Sequence, residues 1–281
     1  MADDSPLEDQ VRHRVDDGVA WITLNRPEVG NAITADQRNR VIDLLATASS
    51  DVAVRAVVVT ATGRAFCTGA DLRAPSTTAA PATANPRPSD APDRPVGDVS
   101  RLIRDGAQRL IASVLDCEVP VVAAVNGTAA GIGAHLAFAC DLVLAADTAS
   151  FIEVFARRGI VPDGGGAYLL PRLIGPQRTK ELMFFGDKLT ATDARGIGLV
   201  NRVVPADDLE ATAAEWATRL ATGPTRALAL TKWLVNRSLE SDRAGAFADE
   251  AVAQELAMHT EDAQEGIAAF VERRDTQFRG W

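Results

Sequence analysis

Histidine and cysteine are scarce in this chain of 281 residues, with three of each: His13, His135 and His259, and Cys67, Cys117 and Cys140. They are far apart, with no HExxH and no CxxC, so the residues offer no metal site. An odd number of dispersed cysteines fits reduced, mostly buried thiols and excludes a disulfide framework. Basic residues do not predominate: the net charge is −9, which disfavours nucleic acid, whose binding requires a basic face. No apolar run approaches the roughly 20 residues that span a bilayer. The acidic, polar start MADDSPLEDQ resembles neither a secretory signal nor an Arg-rich transit peptide, so a cytoplasmic protein is expected. What the chain does have is a 47% apolar share, enough for a sizeable core in one large domain or two modest ones.

The first sixty residues read as β–β–α–β. Val11, His13 and Val15 alternate, Asp16-Asp17-Gly18 turns the chain, and Val19 to Leu24 continues as a second strand. Thr34-Ala-Asp-Gln37 forms a capping box for a helix to about Ser49, and Arg55 to Thr60 is a buried strand. Residues 74–98, rich in Pro, Ala, Ser and Thr, have little to bury and read as a mobile surface loop. A helix over about Val99 to Leu115 and strands at 121–125 and 142–146 follow. Leu199 to Val204 reads as an edge strand. The remainder is helical, divided by glycine and proline. Strands alternating with helices imply an α/β core.

The segment Asn126 to Asp141, NGTAAGIGAHLAFACD, leaves a buried strand, turns at glycines and opens a helix. Such a turn aims free N–H groups at one point and favours negative charge there. One reading is a cofactor phosphate, since Gly127, Gly131 and Gly133 have the spacing of a short-chain dehydrogenase turn. Two observations oppose it. More than a hundred residues precede the turn, and Tyr168 is followed four positions later by Arg172 where that family has Lys. The other reading is half of an oxyanion hole. Gly63 to Leu72, GRAFCTGADL, is a second small-residue turn after a strand, and one N–H from each would hold the enolate oxygen of a thioester.

Four blocks then carry a specific resemblance: GRAFCTGADL, AAVNGTAAGIGAHLAFACDLVLAA, GIVPDGGGAYLLPRLIG and GDKLTATDARGIGLVNRVV. In this order and spacing, with LNRPEVGNAIT before them, the chain resembles the crotonase family of enoyl-CoA hydratases and isomerases. The resemblance implies an α/β crotonase fold of repeated ββα units over residues 1–205, and a helical C-terminal region over 206–281 that mediates trimers or dimers of trimers. It implies an acyl-CoA thioester as substrate, with coenzyme A part of that substrate, no separate cofactor and no metal. By position, the N–H groups of Ala70 and Ile132 would form the oxyanion hole. Ala70, Asp71, Leu72 and Arg73 align with the strip that touches coenzyme A. Arg26, Ala32 and Arg274 are weaker candidates for the nucleotide end; any one of these arginines is more readily a solvated surface charge, and convergence in space is the test.

The acids set the chemistry. Hydratases of this family use two glutamates, whose positions here hold His135 and Phe155. Glu153, two residues from Phe155, remains within conceivable reach. Asp163, in PDGGG, resembles the catalytic acid of isomerase-type members: one carboxylate beside an oxyanion hole suffices to move a proton. It is also readable as a helix cap. His135 is open between acid–base work at a pocket wall and packing in the core. Cys67 has no identifiable nucleophile partner. Isomerase-type proton transfer by Asp163 is therefore expected. The alternatives are a hydratase working through Asp163 and His135, and a silent binder of CoA esters.

Overall fold

The computed structural model describes residues 5–73 and 96–281. After a single turn, α1 (Leu7–Gln10), β1 (Val11–Asp16) pairs antiparallel with β2 (Val19–Leu24). Asp17 and Gly18 between them have φ of 47° and 79°, the successive positive angles whose twist suits a tight hairpin. Parallel to β2 run β3 (Ala56–Ala61), β5 (Val121–Val125) and β7 (Leu142–Ala146), and β10 (Arg202–Val204) ends the sheet. The order is β1-β2-β3-β5-β7-β10. The inner strands are almost wholly apolar because helices cover both faces of such a sheet. Helix α2 (Ala35–Ser50) starts at the expected capping box, with the Gln37 N–H donating to Thr34 Oγ1 and the Thr34 N–H to Gln37 Oε1.

A second sheet, β4-β6-β8-β9, lies beside the first. Its strands β4 (Ala65–Cys67), β6 (Thr128–Ala130) and β8 (Ser150–Ile152) follow β3, β5 and β7 respectively after a few residues, and β9 (Lys188–Thr190) pairs antiparallel with β8. After β4 the next described helices are α3 (Asp98–Leu102), a π turn over Ile103–Gln108 and α4 (Arg109–Leu115). Helix α5 (Ile132–Ala139) follows β6, and a 3-10 turn (Ala156–Arg158) and α6 (Gly166–Ile174) follow β8. This is the expected repeat of ββα units.

Helices α7 (Pro176–Phe185) and α8 (Ala191–Gly196) precede β10. Helix α9 (Leu209–Ala221) packs across β2, β3, β5 and β7. Helices α10 (Thr225–Ser238), α11 (Arg243–Met258) and α12 (Glu261–Glu272) complete the chain. Lys232 of α10 anchors this region by donating to Val114 O and to Asp141 Oδ2, each at 2.9 Å. Among the described residues no helix is long and apolar enough to cross a membrane.

The structure corrects three expectations. The glycine segment does not pass straight from strand to helix, because β6 intervenes and then α5 begins at Ile132. The stretch after β3, read as loop, contains β4. The edge strand is shorter than 199–204, with Leu199 and Val200 buried in the turn before it. Three-residue strands are too short for any hydrophobic periodicity to reveal. The low-complexity stretch at 74–98 falls mainly on residues 74–95, outside those described.

Candidate active site

Three loops meet at one cavity of about 310 Å³, and the smaller sheet aims all three. The first leaves β4 through Gly69, whose φ of 109° suits only glycine. Ile33 clamps this loop: its N–H donates to Gly69 O at 2.9 Å and its O accepts from the Asp71 N–H at 3.0 Å. The intervening Ala70 forms a parallel bridge with Ile33, which leaves its own N–H turned away. The second loop leaves β6 through Gly131, whose N–H donates to Ile152 O at 3.0 Å. Gly131 O accepts from Ala134 and His135, and Ile132 is the first residue of α5, where N–H groups have no helical acceptor. Among the described residues neither the Ala70 nor the Ile132 N–H meets an acceptor, and both residues line the cavity.

Convergence of these two loops depends on one missing side chain. A Cβ at Gly133 would stand 2.1 Å from the carbonyl oxygen of Cys67, so α5 can lie against β4 only with glycine there. Cys67 itself is buried, and burial pushes its thiol up to about 11, which keeps it an uncharged filler and not a nucleophile.

The third loop carries Asp163, which is half-buried and lines the cavity. Its Oδ1 accepts from the Gly164 N–H at 2.7 Å, and among the described residues Oδ2 meets no partner. The helix-cap reading does not describe it: α6 starts at Gly166 with Gly165 at its cap position and no side-chain cap.

His135 does not line the cavity. It is completely buried in α5, with Nε2 3.0 Å from Glu153 Oε2. Its ring stacks on Phe155 with centroids 5.3 Å apart and planes 12° from parallel. Phe155 faces the cavity and His135 stands behind it. The imidazole occupies room left by Gly166, where a Cβ would lie 2.1 Å from Nε2. Glu153 is buried with it and does not reach the cavity. Among the described residues His135 Nδ1 and Glu153 Oε1 have no partner.

The candidates for the nucleotide end separate. Leu72 lines the cavity and is exposed, Ala32 is buried and does not line it, and Arg73 is exposed. Arg26 is buried and works inward, donating from Nη1 to Ala32 O and Asp71 Oδ2, each at 3.2 Å. It thus braces the loop that presents Ala70. Burial pushes the Asp71 carboxyl up, but donation from the Arg73 backbone and side chain and from Arg26 outweighs this and holds it below its ordinary value. Arg274 is not at the cavity. Its guanidinium grips both oxygens of Glu265 at 2.7 and 2.8 Å and Glu272 at 2.6 Å, so its charge is already matched.

Two basic cavity residues escaped the sequence reading, Arg38 and Arg158. Arg38 had a signal: it lies four residues after Thr34, hence on the same face of α2. Arg158, in a short turn after β8, had none. Of the two carboxylates that line the cavity among the described residues, Asp71 is held by Arg26 and Arg73. The cavity thus offers two free N–H donors and one carboxylate with an unengaged oxygen, Asp163, to a carbonyl compound, the elements needed to form and reprotonate an enolate.

Residues 14–92 and 96–280 match the family model described as Enoyl-CoA hydratase/isomerase. The chain is 36% identical over 270 residues to a Rhodobacter capsulatus protein named probable enoyl-CoA hydratase, covering 96% of this chain and 98% of that one. It is 36% identical to the 1,2-epoxyphenylacetyl-CoA isomerase of Escherichia coli K12 over 95% and 97% of the two chains. Its fold superposes on the crystal structure of an enoyl-CoA hydratase/isomerase from Cupriavidus metallidurans CH34 with a TM-score of 0.85, at 34% identity and 97% coverage of each chain.

Proposed function

The chain belongs to the enoyl-CoA hydratase/isomerase family, and from that premise we propose that it moves the double bond of an enoyl-CoA thioester by proton transfer through Asp163. The thioester carbonyl accepts from the Ala70 and Ile132 N–H groups. Asp163 takes a proton from the α-carbon, the C2–H electron pair forms a C1–C2 double bond, and the carbonyl π pair moves onto the thioester oxygen, giving a dienolate that keeps the C3–C4 double bond. The carboxylic acid, its proton exchanging with solvent, then protonates C4: the C3–C4 π pair takes the proton, the C1–C2 pair becomes the C2–C3 double bond and the carbonyl re-forms, completing the shift from 3-enoyl to 2-enoyl. The observation that carries this reading is Asp163, lining the same cavity as the two unoccupied N–H groups with one carboxylate oxygen unengaged. Water addition fits these residues less well, because Phe155 cannot hold a proton and the His135–Glu153 pair lies behind it.

Wild type and Asp163→Asn, given 2-enoyl-CoA and 3-enoyl-CoA in heavy water, test the proposal. Migration with deuterium entering C4 is expected, slowed by about 10²- to 10⁴-fold in the variant. Water addition without migration, or exchange indifferent to the substitution, overturns it.

We further propose that the C-terminal helices join copies of the chain into trimers. Phe247 and Leu256 on α11 and Ile267 and Phe270 on α12 are exposed apolar side chains, the kind an interface covers. Sedimentation should give a mass of three chains or a multiple of it, and a monomer would exclude this assembly.

A further inference from the structure

Among the described residues Arg38 is a half-buried cation without a counter-ion, on the cavity wall. Burial, and the charge of Arg109, hold its guanidinium below its ordinary value, a pull that Asp36 opposes. Among the described residues no carboxylate lies within ion-pair distance of it, and its Nε is shielded from solvent without an acceptor. Among the described residues its side chain makes one hydrogen bond, from Nη2 to Oδ1 of the adjacent Asn39 at 3.2 Å.

The helix opposite leaves space for the charged head. Gly106 lies in the π turn, where a Cβ would stand 2.6 Å from Arg38 Nη1. Such turns recur at functional sites. Arg158 adds a second positive charge to the same cavity, and it too has no carboxylate partner among the described residues. A desolvated cation is costly unless paired, and of the two carboxylates that line the cavity among the described residues Asp71 is held by Arg26 and Arg73 and Asp163 lies beyond ion-pair distance of Arg38. An anion entering the cavity would supply the missing partner.

The anion's place on the ligand follows from distance. In a CoA thioester the pantetheine arm separates the phosphates from the thioester. Arg38 shares one cavity of about 310 Å³ with Ala70 and Ile132, where the thioester carbonyl would lie. The charge Arg38 meets is therefore on the acyl side. Resting on the thioester reading above, we infer that the acyl group ends in a second carboxylate, held by the Arg38 guanidinium, so that the substrates are monothioesters of dicarboxylic acids. The planar guanidinium suits a carboxylate, which it grips through two parallel N–H donors.

Binding of saturated thioesters tests this without any proton transfer. Adipoyl-CoA against hexanoyl-CoA, suberoyl-CoA against octanoyl-CoA, and coenzyme A alone are titrated calorimetrically into wild type, Arg38→Met, Arg38→Lys and Asp163→Asn. In wild type and Asp163→Asn, at least one dicarboxylic ligand should bind about tenfold or more tightly than its uncharged match. Arg38→Met should erase that preference with hexanoyl-CoA affinity unchanged, and Arg38→Lys should keep part of it. No preference at either length overturns the inference, and that comparison needs only wild type should Arg38→Met fail to fold. A preference that survives Arg38→Met also overturns it, as does an equal weakening of coenzyme A alone. If no thioester binds at all, the thioester reading itself has failed, and this inference with it. Loss of turnover in Asp163→Asn with the preference intact shows the two proposals to be separate and supports this one.

Discussion

The inner strands of the six-stranded sheet are five or six residues long and almost wholly apolar, whereas every strand of the four-stranded sheet has three residues. The long strands bury Val, Leu and Ala against helices, with several ladder hydrogen bonds in each pair. A three-residue strand makes too few such bonds to hold itself in place. Its position comes from its neighbours: the close approach of α5 to β4 at Gly133, and the polar pair His135–Glu153 enclosed beside β8. The large sheet accordingly supplies most of the stability, and the small sheet, where the chain leaves through Gly69 and Gly131, places the chemistry.

The largest expected effect lies in the enclosed pair. His135→Leu leaves the Glu153 carboxylate buried and unpaired, at a cost of about 3–5 kcal/mol. Adding Glu153→Leu removes the stranded carboxyl group and should recover most of the loss. Urea denaturation of the two single variants and the double one completes the cycle. A loss under about 1 kcal/mol for His135→Leu would mean that the small sheet does not depend on its polar contents.

The next pair of substitutions separates stability from position. Leu144→Ala, in the middle of β7 and completely buried, should cost about 2–5 kcal/mol while the turnover of each folded molecule stays at the wild-type value. Gly133→Ala should cost less, about 1–3 kcal/mol, because the clash with Cys67 O pushes α5 away instead of opening a cavity. Its turnover should nevertheless fall by about a hundredfold, since a displacement near 1 Å moves the Ile132 N–H off the thioester oxygen. Unfolding curves and single-turnover rates on the same samples check both. Equal losses of activity in the two variants would dissolve the distinction between the sheets.

The same contrast decides what was legible in the sequence. Strands β2, β3, β5 and β7 announce themselves as Val- and Ala-rich runs, and α2 by its Thr34–Gln37 capping box. Strands β4, β6, β8 and β9 carry no pattern, so the sheet that builds the site was invisible although its glycines were noticed. Ala70, Ile132 and Asp163 were found through block resemblance, and the structure brings all three to one cavity. The side on which His135 lies stayed open in the sequence. A single position in an all-buried helix does not say which way it turns, and its partner Glu153 lies 18 residues further along. Arg274 looked available because Glu265, which holds it, sits nine residues away on a helix with other acids.

The smallest effect concerns pH, and it gives each sheet its own sign. Asp71 follows β4, and its folded carboxyl lies below the ordinary 3.8. Its contribution to stability is present above the unfolded value and is lost as pH falls through the folded one. Asp141 stands before β7, accepting from the Val121 N–H of β5 at 2.7 Å and from Lys232. Burial raises its carboxyl, and Lys232 together with hydrogen bonding only partly reverses this. Its contribution is therefore complete below the unfolded value and is lost as pH rises through the folded one. Acidification from about pH 6 to about pH 3 thus weakens the fold at Asp71 and strengthens it at Asp141. In denaturation midpoints over that range, Asp71→Asn should flatten the acid-side loss of stability and Asp141→Asn should steepen it. If both substitutions changed the slope in the same direction, the two carboxylates would share one electrostatic environment, and the difference between the sheets would be one of strand length alone.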